Sequence, residues 1–234
     1  MTVVPFGEWA PDLANRNTAV LSVASGVIPA SNFYGPFPAW VADVTATLPA
    51  ACLSAFVAID ETGEPQIFAG TADKLYLFDR PNNQWDDVSR AATTYSASAD
   101  ERWTWAQFGY NVIATNVNNV AQVFDLVSGT TFDNLGGSPP QSRIVATVGD
   151  FLGLANQAAA PNKLQWSALN NITGWTVGTS FSDEQTIPDG GEILGISDGD
   201  VPIILQKQAT RRFIFTGGAE IFQIDKVDEG RGLT

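Results

Sequence analysis

Histidine is absent from the 234 residues, and cysteine and methionine occur once each. Without imidazole the chain lacks the commonest zinc ligand and the commonest general base at neutral pH, so metal sites and Ser-His or Cys-His nucleophile pairs lose their usual parts. The lone Cys52 excludes an internal disulfide. Positive charge is scarce: 12 Lys and Arg stand against 25 Asp and Glu, a net charge of −13. A surface of that sign does not grip DNA phosphates by counterion release, although an acidic wall can face DNA without binding it. No run approaches eighteen apolar residues, and the start, MTVVPFGEWAPDL, lacks the basic residues and apolar core of a secretory signal. No membrane-spanning segment is expected, and the chain should stay in the cytoplasm where it is made unless it leaves inside a larger particle.

What is present is a real core, 44% hydrophobic and 11% aromatic, punctuated by 21 glycines and 13 prolines. That composition fits short strands and turns better than long helices. The strands repeat. KLYLFD, AQVFDL, KLQWSA and RFIFTG align Phe78, Phe124, Trp166 and Phe215, separated by 46, 42 and 49 residues. A second aromatic follows each after seven to nine residues: Trp85, Phe132, Trp175 and Phe222. A glycine precedes each by 15 to 17 residues, at Gly63, Gly109, Gly149 and Gly199. Between glycine and aromatic runs an apolar segment, QIFAGT, NVIATN, FLGLAN or VPIILQ, and before each glycine another, LSAFVAI, WTWAQF, RIVATV or EILGIS.

Each unit thus reads as strand, glycine turn, strand, polar turn, strand, loop and short fourth strand. Four-stranded repeats of about 40 to 50 residues are the signature of β-propeller blades, whose sheets cannot bury both faces alone and therefore stack. The alternative is a two-sheet sandwich with regularly spaced turns. The expected fold is all-β: about four propeller-like blades of four antiparallel strands, near 51–90, 101–136, 142–180 and 191–228, with the eight aligned aromatics packing blade against blade. The end, DEGRGLT, reads as a glycine-rich linker without a closing strand, so the blade set is expected to be incomplete at the C-terminus. Residues 1–50 follow neither period, and GEWAPDLANRN and SGVIPASNFYGPFPAW read as an extended arm. Trp9, Phe33, Tyr34, Phe37 and Trp40 are too many aromatics for a solvated tail and are its candidate contacts to a neighbouring subunit.

The arm, with WAPDL at Trp9–Leu13, the Gly26-Val27-Ile28-Pro29 step and Tyr34-Gly35-Pro36-Phe37-Pro38, followed by FAGTADKLYLFD and LQWSALNNITGWT, resembles virion proteins of tailed bacteriophages. It is similar in particular to tail nozzle or tail tubular proteins of short-tailed phages, including packaged-DNA stabilisation proteins. The resemblance implies a structural, non-enzymatic role in the virion tail: a ring, commonly sixfold, of copies of this chain around the DNA exit channel. Other tail, adaptor or portal proteins would be its neighbours, and packaged duplex DNA would pass without tight binding. The chain is shorter than such proteins usually are and lacks their tip domains and remaining blades.

Ser167–Trp175 echoes the Ser-x-Asp-x-Gly-x-x-Trp turn of sialidase-like propellers only loosely, and reads as an Asn-Gly turn capped by Trp175. Asp183 with Glu184, or Asp198 with Asp200, offers carboxylate pairs, but sequence neighbours in loops are more often solvated than catalytic. Asp198-Gly199-Asp200 lacks the ligand spacing of a calcium loop. No catalytic, cofactor or metal residue is expected. Lys207, Arg211 and Arg212 concentrate positive charge on the last hairpin, either as an exposed tip or as a contact to DNA or an acidic subunit. The competing function is a carbohydrate-binding or glycoside-hydrolysing propeller, with Trp103, Trp105 and Trp175 stacking on sugars.

Overall fold

The structure, a computed structural model, describes residues 8–9, 20–21, 26–30, 33–36, 45–91, 93–218, 220–230 and 232–233. The chain divides into two compact units, Met1–Thr45 and Ala46–Thr234.

In the first unit, β1 (Glu8–Trp9) pairs in parallel with β2 (Val20–Leu21), and β3 (Val27–Ala30) forms an antiparallel pair with β4 (Phe33–Pro36). The arm is therefore less irregular than its sequence suggests. Pro29 and Pro36 sit within strands because every strand of a two-stranded ladder is an edge, where a missing N–H costs nothing.

The second unit is four antiparallel four-stranded sheets in chain order. Blade 1 contains β5 (Ser54–Ile59), β6 (Pro65–Gly70), β7 (Leu75–Asp79) and β8 (Gln84–Asp87). Blade 2 contains β9 (Thr104–Phe108), β10 (Asn111–Thr115), β11 (Gln122–Asp125) and β12 (Asp133–Asn134). Blade 3 contains β13 (Ser142–Val148), β14 (Phe151–Gln157), β15 (Ala160–Trp166) and β16 (Asp183–Thr186). Blade 4 contains β17 (Ile193–Ile196), β18 (Ile203–Gln206), β19 (Ala209–Phe215) and β20 (Phe222–Glu229). Every sheet is ordered first to fourth strand, the meander of a propeller blade. No helix is present among the described residues. The four turn glycines lie between first and second strands with φ of 87°, 56°, 52° and 114°, a region that side chains disfavour. The tail differs from its expected form, because Asp228 and Glu229 pair with Thr210 and Ala209 and so complete the fourth strand.

Side chains alternate along each strand, so blades 2 and 3 each have one face toward the preceding blade and one toward the next, and blades 1 and 4 each have one covered face. Phe68 and Leu75 of blade 1 meet Trp103, Val112 and Phe124 of blade 2. Ile113 of blade 2 meets Val145, Leu152 and Leu154 of blade 3. Ala155, Leu164 and Trp166 of blade 3 meet Ile193, Ile204, Phe213 and Phe222 of blade 4. Burying each large side chain contributes roughly 1.5–3 kcal/mol.

Hydrogen bonds reinforce the stack along the ends of the first strands. Gln107 accepts from the Ile59 N–H at 2.9 Å and donates to the Ile59 carbonyl at 2.7 Å. Thr147 Oγ1 donates to the Gln107 carbonyl at 2.7 Å, and the Thr147 N–H donates to Asp198 Oδ1 at 2.8 Å. All four blades are thereby tied into one belt.

Candidate functional site

The basic group of the last hairpin does not form a patch. Arg211 turns inward, its side chain only 7% exposed, with Nη2 2.5 Å from Asp189 Oδ1 and Nε donating to Gln206 Oε1 at 2.6 Å. Lys226 Nζ lies 2.5 Å from the other Asp189 oxygen. Bonds from Lys226 first and Arg211 second hold the Asp189 carboxyl at about 2, against 3.8 ordinarily. Arg212 remains at the surface, 3.4 Å from Asp225, and Lys207 lies 3.8 Å from Glu192. The register explains the separation: Arg211 and Arg212 are adjacent on β19 and so point to opposite faces.

The aligned aromatics behave unequally. Phe78 and Trp85 are cross-strand partners, as are Phe215 and Phe222, and Phe124 lies 5.3 Å from Phe132. Trp166 instead pairs with Asp183, and Trp175 sits in the long loop before β16, where it packs between blades 2 and 3. Trp166 also faces blade 4, whereas Phe124 faces the preceding blade. Second-to-third hairpins of unequal length cause this, since one added residue turns a strand side chain to the other face. Phe215 is 43% exposed, and the buried aromatic at the centre of blade 4 is Phe213, two residues earlier. Of the arm contacts, Phe37 and Trp40 lie outside the described residues, and of Trp9, Phe33 and Tyr34 only the backbone is described.

The acidic candidates are engaged in holding turns and strands. Glu184 pairs with Lys163 at 2.6 Å, and Asp183 accepts the Glu184 N–H at 2.8 Å. Asp198 belongs to the belt, and among the described residues no group of three or more metal-ligating side chains converges. The tryptophans proposed to stack on sugars are covered: Trp103 and Trp175 are buried, and Trp105 stacks on Phe56 while donating to Ser54 Oγ.

Two surfaces stand out instead. The first is the face of blade 4 that points away from blade 3. β14 is buried at six successive positions because blades cover both its faces, whereas β18 alternates between half-buried and buried. Ile203 and Leu205 of β18 and Ile214 of β19 form this apolar face, each half-buried. The corresponding positions of the other blades, Phe68, Ile113 and Ala155, are each fully buried under the next blade. At the other end of the stack, Val57 and Ile59 on β5 are also exposed, alternating with the blade-2-facing Phe56 and Ala58.

The second is a cleft of about 410 Å³ where the first strands of blades 2, 3 and 4 begin, lined by Asp100, Glu101, Arg102, Thr104, Arg143, Ile144, Asn156, Glu192 and Leu194. Arg143 and Glu101 form an ion pair from blade 3 to the segment entering blade 2, and Thr104 Oγ1 donates to the Arg143 carbonyl at 2.7 Å.

A set of polar residues escaped the sequence reading. Thr71, Asn116, Asn156 and Gln206 each follow or end the second strand of a blade, and all are buried. Thr71 and Asn116 close the following turn through their side chains, Asn156 Nδ2 donates to the Ile193 carbonyl at 2.8 Å, and Gln206 bonds Asp189, Gly191 and Arg211. The signal was available as the polar residue closing each apolar run.

No family model matches the chain, and no curated protein matches its sequence. Among solved structures, the extracellular domain of the putative hybrid two-component system BT4673 from B. thetaiotaomicron is similar at TM-score 0.53 and 13% identity, covering 77% of this chain and 22% of that one. The β-propeller domain of Myceliophteria thermophila Cps50 (Swd1) follows at TM-score 0.33 and 12% identity, over 77% and 71% of the two chains. PorZ, a surface component of the type-IX secretion system of Porphyromonas gingivalis, gives 0.29 and 10%, over 78% and 31%. The chain spans about a fifth of the length of the first of these. At such identities the likeness concerns fold alone, and the fold of this chain is an all-β stack of propeller-like blades.

Proposed function

We propose that the chain is a structural protein of a bacteriophage tail, one subunit of a ring that lines or closes the DNA exit channel. The observation that carries the assembly part of this reading is the open apolar face of blade 4. Ile203 and Leu205, with Ile214 beside them, occupy the face that the other three blades bury at Phe68, Ile113 and Ala155, and a neighbouring copy would cover them. The phage assignment rests on the sequence resemblance. The charge supports the conduit role: a net charge of −13, with Lys207, Arg211 and Arg212 all paired within the chain, leaves passing duplex DNA little to adhere to. The test is oligomeric state by light scattering for the parent chain and for Leu205→Glu, together with duplex binding at physiological salt. Assembly lost in the variant, with weak duplex binding by both, supports the reading. A parent chain that stays monomeric at high concentration, or that binds duplex tightly, refutes it. The carbohydrate reading loses its tryptophans, and what remains for it is the cleft at the start of the first strands.

A further inference from the structure

The cleft between blades 2, 3 and 4 has a property that the acidic surface as a whole does not: its charges nearly balance. Asp100, Glu101 and Glu192 face Arg102 and Arg143, and Lys207 lies 3.8 Å from Glu192 at its margin. Glu101 is already paired with Arg143. A strongly anionic ligand would also face Asp100, Glu101 and Glu192, and a strongly cationic one Arg102 and Arg143, whereas a neutral ligand that both donates and accepts hydrogen bonds can use groups of both signs. Among the described residues, Asp100 and Arg102 have no ion-pair partner, so one acceptor and one donor stand ready at the rim.

The wall supplies the second observation. Asn156, only 3% exposed, lines the cleft and donates through Nδ2 to the Ile193 carbonyl, but its Oδ1 is buried with no donor. An unmatched buried acceptor costs about 1–3 kcal/mol in general and marks a place where an incoming hydroxyl would be held. Ile144 and Leu194 add apolar surface beside these polar groups. Planar polar side chains around a small apolar patch match the vicinal hydroxyls and C–H face of a sugar ring.

We infer that this cleft binds a neutral saccharide unit, with Asn156, Asp100 and Arg102 hydrogen-bonding its hydroxyls. The inference does not depend on ring assembly, since the cleft is complete within one chain. It is tested on the full chain, isotope-labelled for NMR, with the Asn156 side-chain amide and the Thr104 and Leu194 backbone amides as reporters. Glucose, galactose, N-acetylglucosamine and maltose are titrated separately, with inorganic phosphate and free lysine as charged controls. At least one neutral sugar should shift these resonances saturably. Asp100→Ala and Arg102→Ala should each weaken that binding about ten-fold, the loss of one charge-assisted hydrogen bond. Both positions are exposed, so the melting temperature should not move. The inference is overturned if no neutral sugar shifts the reporters, if phosphate or lysine shifts them while sugars do not, or if both variants bind as the parent does.

Discussion

Replacing Trp166 by alanine tests the blade stack at the interface between blades 3 and 4. Trp166 is 2% exposed, with ring centroids 5.5 Å from Phe213 and 5.0 Å from Phe222 of the next blade, and its Nε1 donates to the Phe181 carbonyl at 2.8 Å. A tryptophan removes roughly 150–250 Å² from water. At about 25 cal/mol per Å² that is about 4–6 kcal/mol. Alanine retains part of it, so the expected loss is about 3–5 kcal/mol. Phe181 is itself exposed, so its carbonyl can be rehydrated and the broken hydrogen bond adds little. For a unit of this size the melting temperature should fall by about 10 °C. Trp166→Phe should cost about 1–2 kcal/mol, since the ring packing largely survives. Phe215→Ala is the control: the sequence repeat makes Phe215 equivalent to Trp166, but it is 43% exposed and should lose no more than about 2 kcal/mol. Urea unfolding followed by circular dichroism measures all three. Equal losses at positions 166 and 215, or a loss below about 1.5 kcal/mol at 166, would refute the assigned faces.

Three further outcomes follow from the hydrogen-bond and ion-pair geometry. Arg211→Glu should destabilise the chain by about 3–5 kcal/mol, because it leaves Asp189 facing a buried like charge and Gln206 Oε1 without its donor, whereas Arg212→Glu should stay within about 1 kcal/mol; equal urea midpoints would contradict the inward placement of Arg211. Asp198→Ala should cost about 1 kcal/mol through the lost Thr147 N–H bond, and added calcium should raise the melting temperature of neither form; a calcium-dependent rise in the parent alone would restore the metal reading of that turn. Asp60 and Asp189 are both held at about 2 in the folded chain, against 3.8 ordinarily, Asp60 chiefly by bonds from Thr62 and Gln66. A depressed folded pKa gives stability that is present above about pH 4 and is lost as pH falls toward 2, so Asp189→Asn should flatten the urea midpoint between pH 4 and 2; an unchanged slope would show that the Arg211 and Lys226 bonds carry none of it.

The sequence by itself determined the blades: the four turn glycines, the apolar second strands and the spacing of third-strand aromatics are local or periodic features, and each unit has to repeat them to build the same meander. It also placed Phe78 with Trp85 and Phe215 with Phe222, because a short hairpin brings residues seven apart opposite one another. What only the tertiary structure decided is which way those side chains point and what covers them. Trp166 and Phe215 occupy equivalent places in the repeat, yet Trp166 is buried in the core between blades 3 and 4 whereas Phe215, the last residue of β19, lies at the rim of that same interface beside Phe151 and Phe222 and is 43% exposed. Arg211 and Arg212 are neighbours in the chain, yet strand alternation buries one against Asp189 and exposes the other. The cleft was invisible for the same reason: Asp100, Arg143, Asn156 and Glu192 come from segments far apart in the chain, and only the stacking of three first strands brings them to one place. Periodicity fixes what each strand is, and packing between strands fixes what each side chain meets.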